Sequence, residues 1–233
     1  MKRLFLILMM GILCIVPCHA ESPEERETAV KGYVALTFDD GPSGTLTEKL
    51  LDGLKKRNAR ATFFLCGYRI EEYPEVMDRY LREGHEVGVH STVHTNLTKL
   101  TPEEVHRDMK ETAQRIFITT GRRPTLMRPP GGAYDPQVLS EAKAEGMGVI
   151  LWSVDPEDWR KRNAFAVLSA MAGAVTHGDI VLMHDLGESS VEAAFIFIDS
   201  LQAQGYQFVT VSELSVLCGM EIHPGRVYND FRN

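Results

Sequence analysis

Tyr33-Val34-Ala35-Leu36-Thr37-Phe38-Asp39-Asp40-Gly41-Pro42 is the stretch on which the fold turns. Its first six residues read as a β-strand, and the Asp-Asp-Gly-Pro that follows is by default a turn in which the aspartates satisfy backbone N–H groups. Working outward, six more short apolar runs have the same character, at 61–65, 86–90, 125–128, 149–154, 180–184 and 207–211. Amphipathic helical patterns lie between them, at 46–57, 75–82, 102–119, 136–145, 164–175 and 191–204. Thr101-Pro102-Glu103-Glu104 is a well-formed helix start, with a capping hydroxyl, proline at the first helical position and a carboxylate at the third. Strand–helix alternation of this regularity predicts an α/β fold with a parallel sheet or barrel.

The chemistry-bearing residues gather at one place on this framework. Asp39 and Asp40, His90 and His94, Arg128, Asp155 and Asp158, and His184 all fall at or just past the C-terminal ends of predicted strands. In a barrel those ends converge on one face, where such folds carry their catalytic groups. One carboxylate with His90 and His94 makes a three-donor set for a divalent metal that leaves coordination positions open, as catalytic sites do and closed structural sites do not. The second carboxylate of the Asp39-Asp40 pair is then free to act as a base toward water. Ser91 has no nucleophile-elbow context and reads as a loop brace. Asp155 reads as a cap or a substrate contact, and Trp152, Phe63, Phe64, Phe195 and Phe197 as core.

The ends and the composition narrow the classes. Residues 1–20 combine Met1-Lys2-Arg3, an apolar run from Leu4 to Val16 and a small-residue cleavage site near Ala20, which reads as a secretory signal peptide. The run is shorter than the ~20 apolar residues that span a bilayer, so no stable membrane span is expected after cleavage. A lead-in over 21–32, one domain over 33–214 and a tail over 215–233 complete the expected organisation. Loss of Lys2 and Arg3 leaves the chain two units more negative than its formal net charge of -7, which argues against nucleic acid as a partner. Cys66 and Cys218 remain after cleavage; a disulfide and two buried free thiols are both open.

With these segments assembled, the chain resembles the polysaccharide deacetylase family, whose catalytic unit is the NodB homology domain (carbohydrate esterase family 4). Five ordered motifs carry the resemblance: Thr37-Phe38-Asp39-Asp40-Gly41-Pro42, His90-Ser91-Thr92-Val93-His94, Arg128-Pro129-Pro130-Gly131, Asp155-Pro156-Glu157-Asp158-Trp159 and Leu182-Met183-His184. The resemblance implies a distorted (β/α) barrel of about seven parallel strands. It implies Asp40, His90 and His94 as metal ligands, commonly for Zn2+ with Co2+, Ni2+ or Mn2+ as substitutes. It further implies Asp39 as general base, held charged and aimed by Arg128, and His184 as general acid tuned by Asp158. Gly131 would offer a backbone donor, and Trp159 and Leu182 would wall a pocket for the acetyl methyl. The expected partner is an acetylated amino-sugar polymer or oligomer, peptidoglycan first and chitin oligomers second, with O-acetyl xylan, whose acetyl groups are esters on a pentose polymer, third. The expected protein is a monomer, secreted or held in the cell envelope. Where the family often has an aromatic residue after Arg-Pro-Pro this chain has Gly131, which leaves the sugar preference open. Two rival readings are a catalytically silent binding member of the same fold and a non-haem iron oxygenase, whose facial triad is also two histidines and a carboxylate.

Overall fold

The computed structural model describes residues 30–161 and 163–232; the leader read over 1–20, and the lead-in up to residue 29, lie outside the described residues. All seven expected strands are present: β1 (Gly32–Asp39), β2 (Thr62–Leu65), β3 (Glu86–Val89), β4 (Leu126–Met127), β5 (Gly148–Ile150), β6 (Ile180–His184) and β7 (Tyr206–Val209). Every pairing among them is parallel. β1 is the organising strand. One edge pairs with β2, while the other is shared, β7 taking its first half from Gly32 to Ala35 and β6 its second half from Ala35 to Asp39. From β2 the sheet continues through β3, β4 and β5.

The helices that cross between strands are α1 (Thr45–Lys56), α2 (Gly67–Ile70), α3 (Pro74–Arg82), α4 (Pro102–Thr120), α5 (Pro136–Ala144), α6 (Ala164–Met171), α7 (Glu188–Gln202) and α8 (Val211–Leu217). The capping box read at Thr101 and Glu104 is formed, and α4 ends where Gly121 enters the left-handed region at φ 70. Helix α6 stops four residues before the expected 175, because the chain turns at Gly173 with φ 72. Val211, read as the end of a strand, instead opens α8: Thr210 and Glu213 cap one another's backbone and start a helix there. Among the described residues no helix is long and apolar enough to cross a membrane.

The stretch after Leu214, read as a tail, supplies an eighth strand, β8 (Val227–Tyr228), parallel to β5. Beyond it Asp230 bridges Asp179, the Phe231 N–H donates to the Gly178 carbonyl at 2.8 Å, and the Phe231 ring is fully buried. These residues join β5 to the start of β6. Higher up, the segment that follows β5 meets β6 through the Val154–Val181 bridge and the hydrogen bonds of Ser153 and Val154 with Ile180 and Leu182. The barrel is distorted at this seam.

Strand alternation then sorts the side chains. Along β1, Val34, Leu36 and Phe38 join the large cluster beneath the helices, whereas Ala35 joins a second cluster with Phe64, Ile150, Ile180 and Phe231. Thr37 and Asp39 continue the Ala35 face, so the same period of two that buries the core aims Asp39 inward. Cys66 and Cys218 are both buried and free.

Candidate active site

The end of β1 separates the two adjacent carboxylates. Asp39 is the last strand residue and is buried, while Asp40 leaves the strand at φ 71 and is half-buried. Aspartate is among the few side chains that tolerate this left-handed geometry. The turn carries Asp40 toward the loop after β3, where His90 and His94 wait. The Asp40 Oδ1 lies 3.3 Å from His90 Nε2 and 3.4 Å from His94 Nε2. The donor atoms of Asp40, His90 and His94 all lie within 4.8 Å of one another.

This donor set fits a divalent cation. Ligand bonds of ~2.1 Å place tetrahedral neighbours roughly 3.4 Å apart, which is the spacing found around Asp40 Oδ1. The His90 Nδ1 lies 2.7 Å from the Arg128 carbonyl oxygen and so carries the hydrogen, leaving Nε2 with its lone pair toward the cluster. Burial by itself would raise the Asp40 pKa, but the hydrogen bond and positive charge that His90 supplies when protonated, with the charges of protonated His94 and His184, lower it, and a bound cation would stand in for the charge of the two ligand imidazoles. An ionised oxygen between two imidazoles is what a cation site needs.

Arg128 lies entirely inside the barrel, beneath the cluster. Its Nη1 donates to Asp39 Oδ1 at 2.7 Å and Thr37 Oγ1 at 2.8 Å, its Nε to the Ile150 carbonyl at 3.1 Å and its Nη2 to the Leu151 carbonyl at 2.8 Å. The guanidinium stacks over Phe64 at 4.3 Å and faces Trp152 at 5.5 Å. A buried ion pair with one partner removed leaves an uncompensated charge, at a cost of roughly 3–5 kcal/mol. Arg128→Met is therefore expected to lower unfolding stability by about that amount at neutral pH, measured by urea titration. A loss below about 1 kcal/mol would mean that the pair does not hold Asp39.

Across the cleft, His184 ends β6 in register with Asp39. Asp158 grips it twice, accepting from the His184 backbone N–H at 2.8 Å and pairing with Nδ1 at 2.9 Å. Burial works against protonation of His184, but the hydrogen bond and charge of Asp158, with Asp39 and Asp40 behind, push its pKa up to about 9. The fold thus sets a carboxylate paired with arginine on one side and an imidazole paired with a carboxylate on the other.

Between them is an open cleft of about 400 Å³. Asp39, Asp40, His90, His94 and His184 face it, together with Gly131, Leu182 and Trp159. Arg128 and Asp158 stand behind the residues they hold. Gly131 is left-handed at φ 63, and a Cβ placed on it would meet nothing within 4 Å, so this side of the cleft is open. Trp159 is 65% exposed and forms a rim rather than core. Asp155 both lines the cleft and braces its loop, accepting from the Glu157 N–H at 2.7 Å. Ser91 braces as expected, donating to Asp108 at 3.2 Å and accepting from the Thr95 N–H at 3.0 Å.

Three residues escaped the sequence reading. Trp152, read as core, does pack against the second core cluster, but it is half-buried and also lines the cleft, because β5 ends at Ile150 and Trp152 lies on the strand's exit. Asp185 is wholly buried under the turn after Asp40: Thr47 donates to it, and a Cβ on Gly41 would lie 2.8 Å from its Oδ1. Burial pushes its pKa up to about 6. Its position directly after His184 was the only available signal. Asp108 on α4 accepts from the loop that carries His94.

A parallel (β/α) barrel with a three-donor cluster at its strand ends carries its chemistry on the loops of one face. Residues 26–150 match the family described as polysaccharide deacetylase, and the chain belongs to that family. The peptidoglycan-N-acetylglucosamine deacetylase PgdA of Listeria monocytogenes is 41% identical over 215 residues, which cover 92% of this chain and 45% of that protein. The chain thus spans about half the length of that curated relative. The structure of peptidoglycan deacetylase PdaC from Bacillus subtilis superposes with a TM-score of 0.77 at 42% identity, covering 80% of this chain and 91% of that one. A family 4 acetyl xylan esterase from Clostridium thermocellum, solved with a cobalt ion, gives a TM-score of 0.80 at 32% identity, with 85% and 98% coverage.

Proposed function

We propose that this protein is a metal-dependent hydrolase that removes N-acetyl groups from N-acetylhexosamine residues of a glycan. The observation that carries this reading is the convergence on one cleft of Asp40, His90 and His94 with two hydrogen-bonded proton-handling pairs, Asp39–Arg128 and His184–Asp158. Amide hydrolysis needs a base toward water and an acid toward a poor leaving group on opposite sides of the acyl carbon. A divalent cation held by Asp40, His90 and His94, with Zn2+ proposed and Co2+, Ni2+ or Mn2+ as substitutes, would acidify water and polarise the acyl oxygen.

The remaining roles belong to the chain itself. Asp39 has Oδ1 committed to Arg128, which leaves Oδ2 to take the proton of the attacking water. His184 has Nδ1 committed to Asp158, which leaves Nε2 to protonate the departing amine. The Gly131 N–H is a candidate donor to the developing oxyanion. Trp159 and Leu182 line the cleft where the acetyl methyl would rest.

Peptidoglycan is the first substrate proposed, supported by relatives named for it in Listeria and Bacillus. Export through the residue 1–20 leader to the cell envelope belongs to the same reading. Chitin-type oligomers come second. O-acetyl xylan comes third, with the Clostridium esterase in its favour. A silent binding member would have no use for both the Asp39–Arg128 and the His184–Asp158 pair, and neither would an iron oxygenase.

The test is mass spectrometry of peptidoglycan fragments, chitooligomers and acetylated xylan after incubation with the zinc-loaded protein. Loss of one acetyl unit per event from a peptidoglycan amino sugar, abolished by a chelator, is expected. Acetate release from neither the peptidoglycan fragments nor the chitooligomers would overturn the proposal, and release from xylan alone would replace it with an O-acetyl esterase.

A further inference from the structure

We infer that Asp108 is a positioning residue for the metal-binding loop, setting cation affinity by holding residues 91–95 in the form that presents His94. The inference rests on the reading that Asp40, His90 and His94 hold a divalent cation. The two histidines are secured differently. The His90 ring is pinned by the Arg128 carbonyl at 2.7 Å and is buried. The His94 side chain is half exposed, and among the described residues no hydrogen bond orients its ring apart from its approach to Asp40. Its place is therefore set by the backbone of its loop.

That backbone is strained. Ser91 at φ 65 and His94 at φ 55 are both left-handed, a conformation that is unfavourable for a non-glycine residue and persists only where surrounding contacts hold it. Asp108 supplies most of those contacts. Its two carboxylate oxygens lie 3.1 and 3.0 Å from the Thr92 N–H, and its Oδ2 also accepts from Ser91 Oγ at 3.2 Å. The same Ser91 Oγ accepts from the Thr95 N–H, so the carboxylate reaches both sides of His94. Thr92 Oγ1 returns a bond to the Asp108 carbonyl at 3.1 Å, and on the far side the Tyr68 N–H donates to the Thr92 carbonyl at 2.9 Å. With the Asp108 carboxylate removed, Ser91 and Thr92 lose their acceptor, and the loop can relax toward ordinary φ values that carry His94 away from Asp40.

The experiment measures Zn2+ affinity of the full chain by competition with a chelator of known strength. Residues that orient a ligand typically contribute 10–100-fold in affinity, and Asp108→Ala is expected to weaken binding by about that factor, with the metal-free melting temperature within a few degrees of wild type. Asp108→Asn keeps volume and one acceptor oxygen, and is expected to fall between the two. It decides the matter alone if the alanine variant does not fold. In a His94→Ala background the Asp108→Ala effect should shrink to less than about twofold, because the two act through one ligand. Unchanged affinity in the single variants, or an equal loss with and without His94, would overturn the inference. A wild-type chain that bound no Zn2+ would overturn the metal site itself, and this role with it.

Discussion

Asp39→Asn is expected to lower kcat on an N-acetylated glycan fragment by about 10²- to 10⁴-fold, the span that a positioned general base contributes. Zn2+ affinity should stay within a few-fold of wild type, and KM should change little. The substitution is nearly isosteric and keeps an oxygen for the Arg128 Nη1, which now lies 2.7 Å from Oδ1. What it removes is the second carboxylate oxygen, the only part of Asp39 free to take a proton. Asp40→Asn is expected to behave differently, losing metal and turnover together, because Asp40 Oδ1 is the oxygen shared between His90 and His94. The paired result would separate two adjacent carboxylates by role. Turnover near wild type in Asp39→Asn, or metal loss accompanying its inactivity, would remove Asp39 from the part of base.

The placement of this pair follows from features legible along the chain, though to different depths. A strand from Tyr33 to Phe38 followed by two aspartates already placed both carboxylates at a strand end. Strand alternation sends Asp39 inward with Thr37, and the turn at φ 71 sends Asp40 toward the histidines. The positions of His90, His94, Arg128, Asp158 and His184 were equally legible, because each is a charged or imidazole residue at or just past the close of an apolar run. Helix α4 was legible to within one residue at its C-terminal end, since its start and stop are local chemistry.

Other features were hidden because their causes are not local. The two residues of β8 are a strand only because β5 is beside them, and Phe231 is buried only because Gly178 and Asp179 receive the chain there. Val211 continues an apolar run and reads as strand; the Thr210–Glu213 capping pair, three residues apart, decides for helix. Asp108 sits among Arg107, Lys110 and Glu111 and looks like one more solvated helix charge. Its function depends on a loop sixteen residues upstream. Trp152 was misplaced by an error of a different kind: extending β5 through 154 put its indole in mid-strand, whereas it stands where the strand opens onto the cleft.

The second large effect concerns the acid. His184→Ala is expected to reduce kcat by about 10²- to 10⁴-fold with metal retained, since the imidazole is not among the donors of the cluster. The pH dependence gives a finer test. With its pKa raised from 6.5 to about 9 against the opposing effect of burial, His184 is protonated and competent through neutral pH. Activity should therefore fall on an alkaline limb. A bound cation would offset the shares of Asp39 and Asp40, so in the loaded protein the limb should lie between 6.5 and about 9, held up by Asp158. Stability has the same sign: the contribution of this raised group is fully present below 6.5 and is lost as pH rises through about 9. Asp158→Asn removes the charge that raises His184 while leaving the burial that lowers it. Its alkaline limb in kcat/KM is expected to move acidward by at least one pH unit, with the stability advantage below pH 6.5 shrinking in parallel. A profile that did not move in Asp158→Asn would place the alkaline-limb proton on a group other than His184, and the acid would have to be sought elsewhere in the cleft.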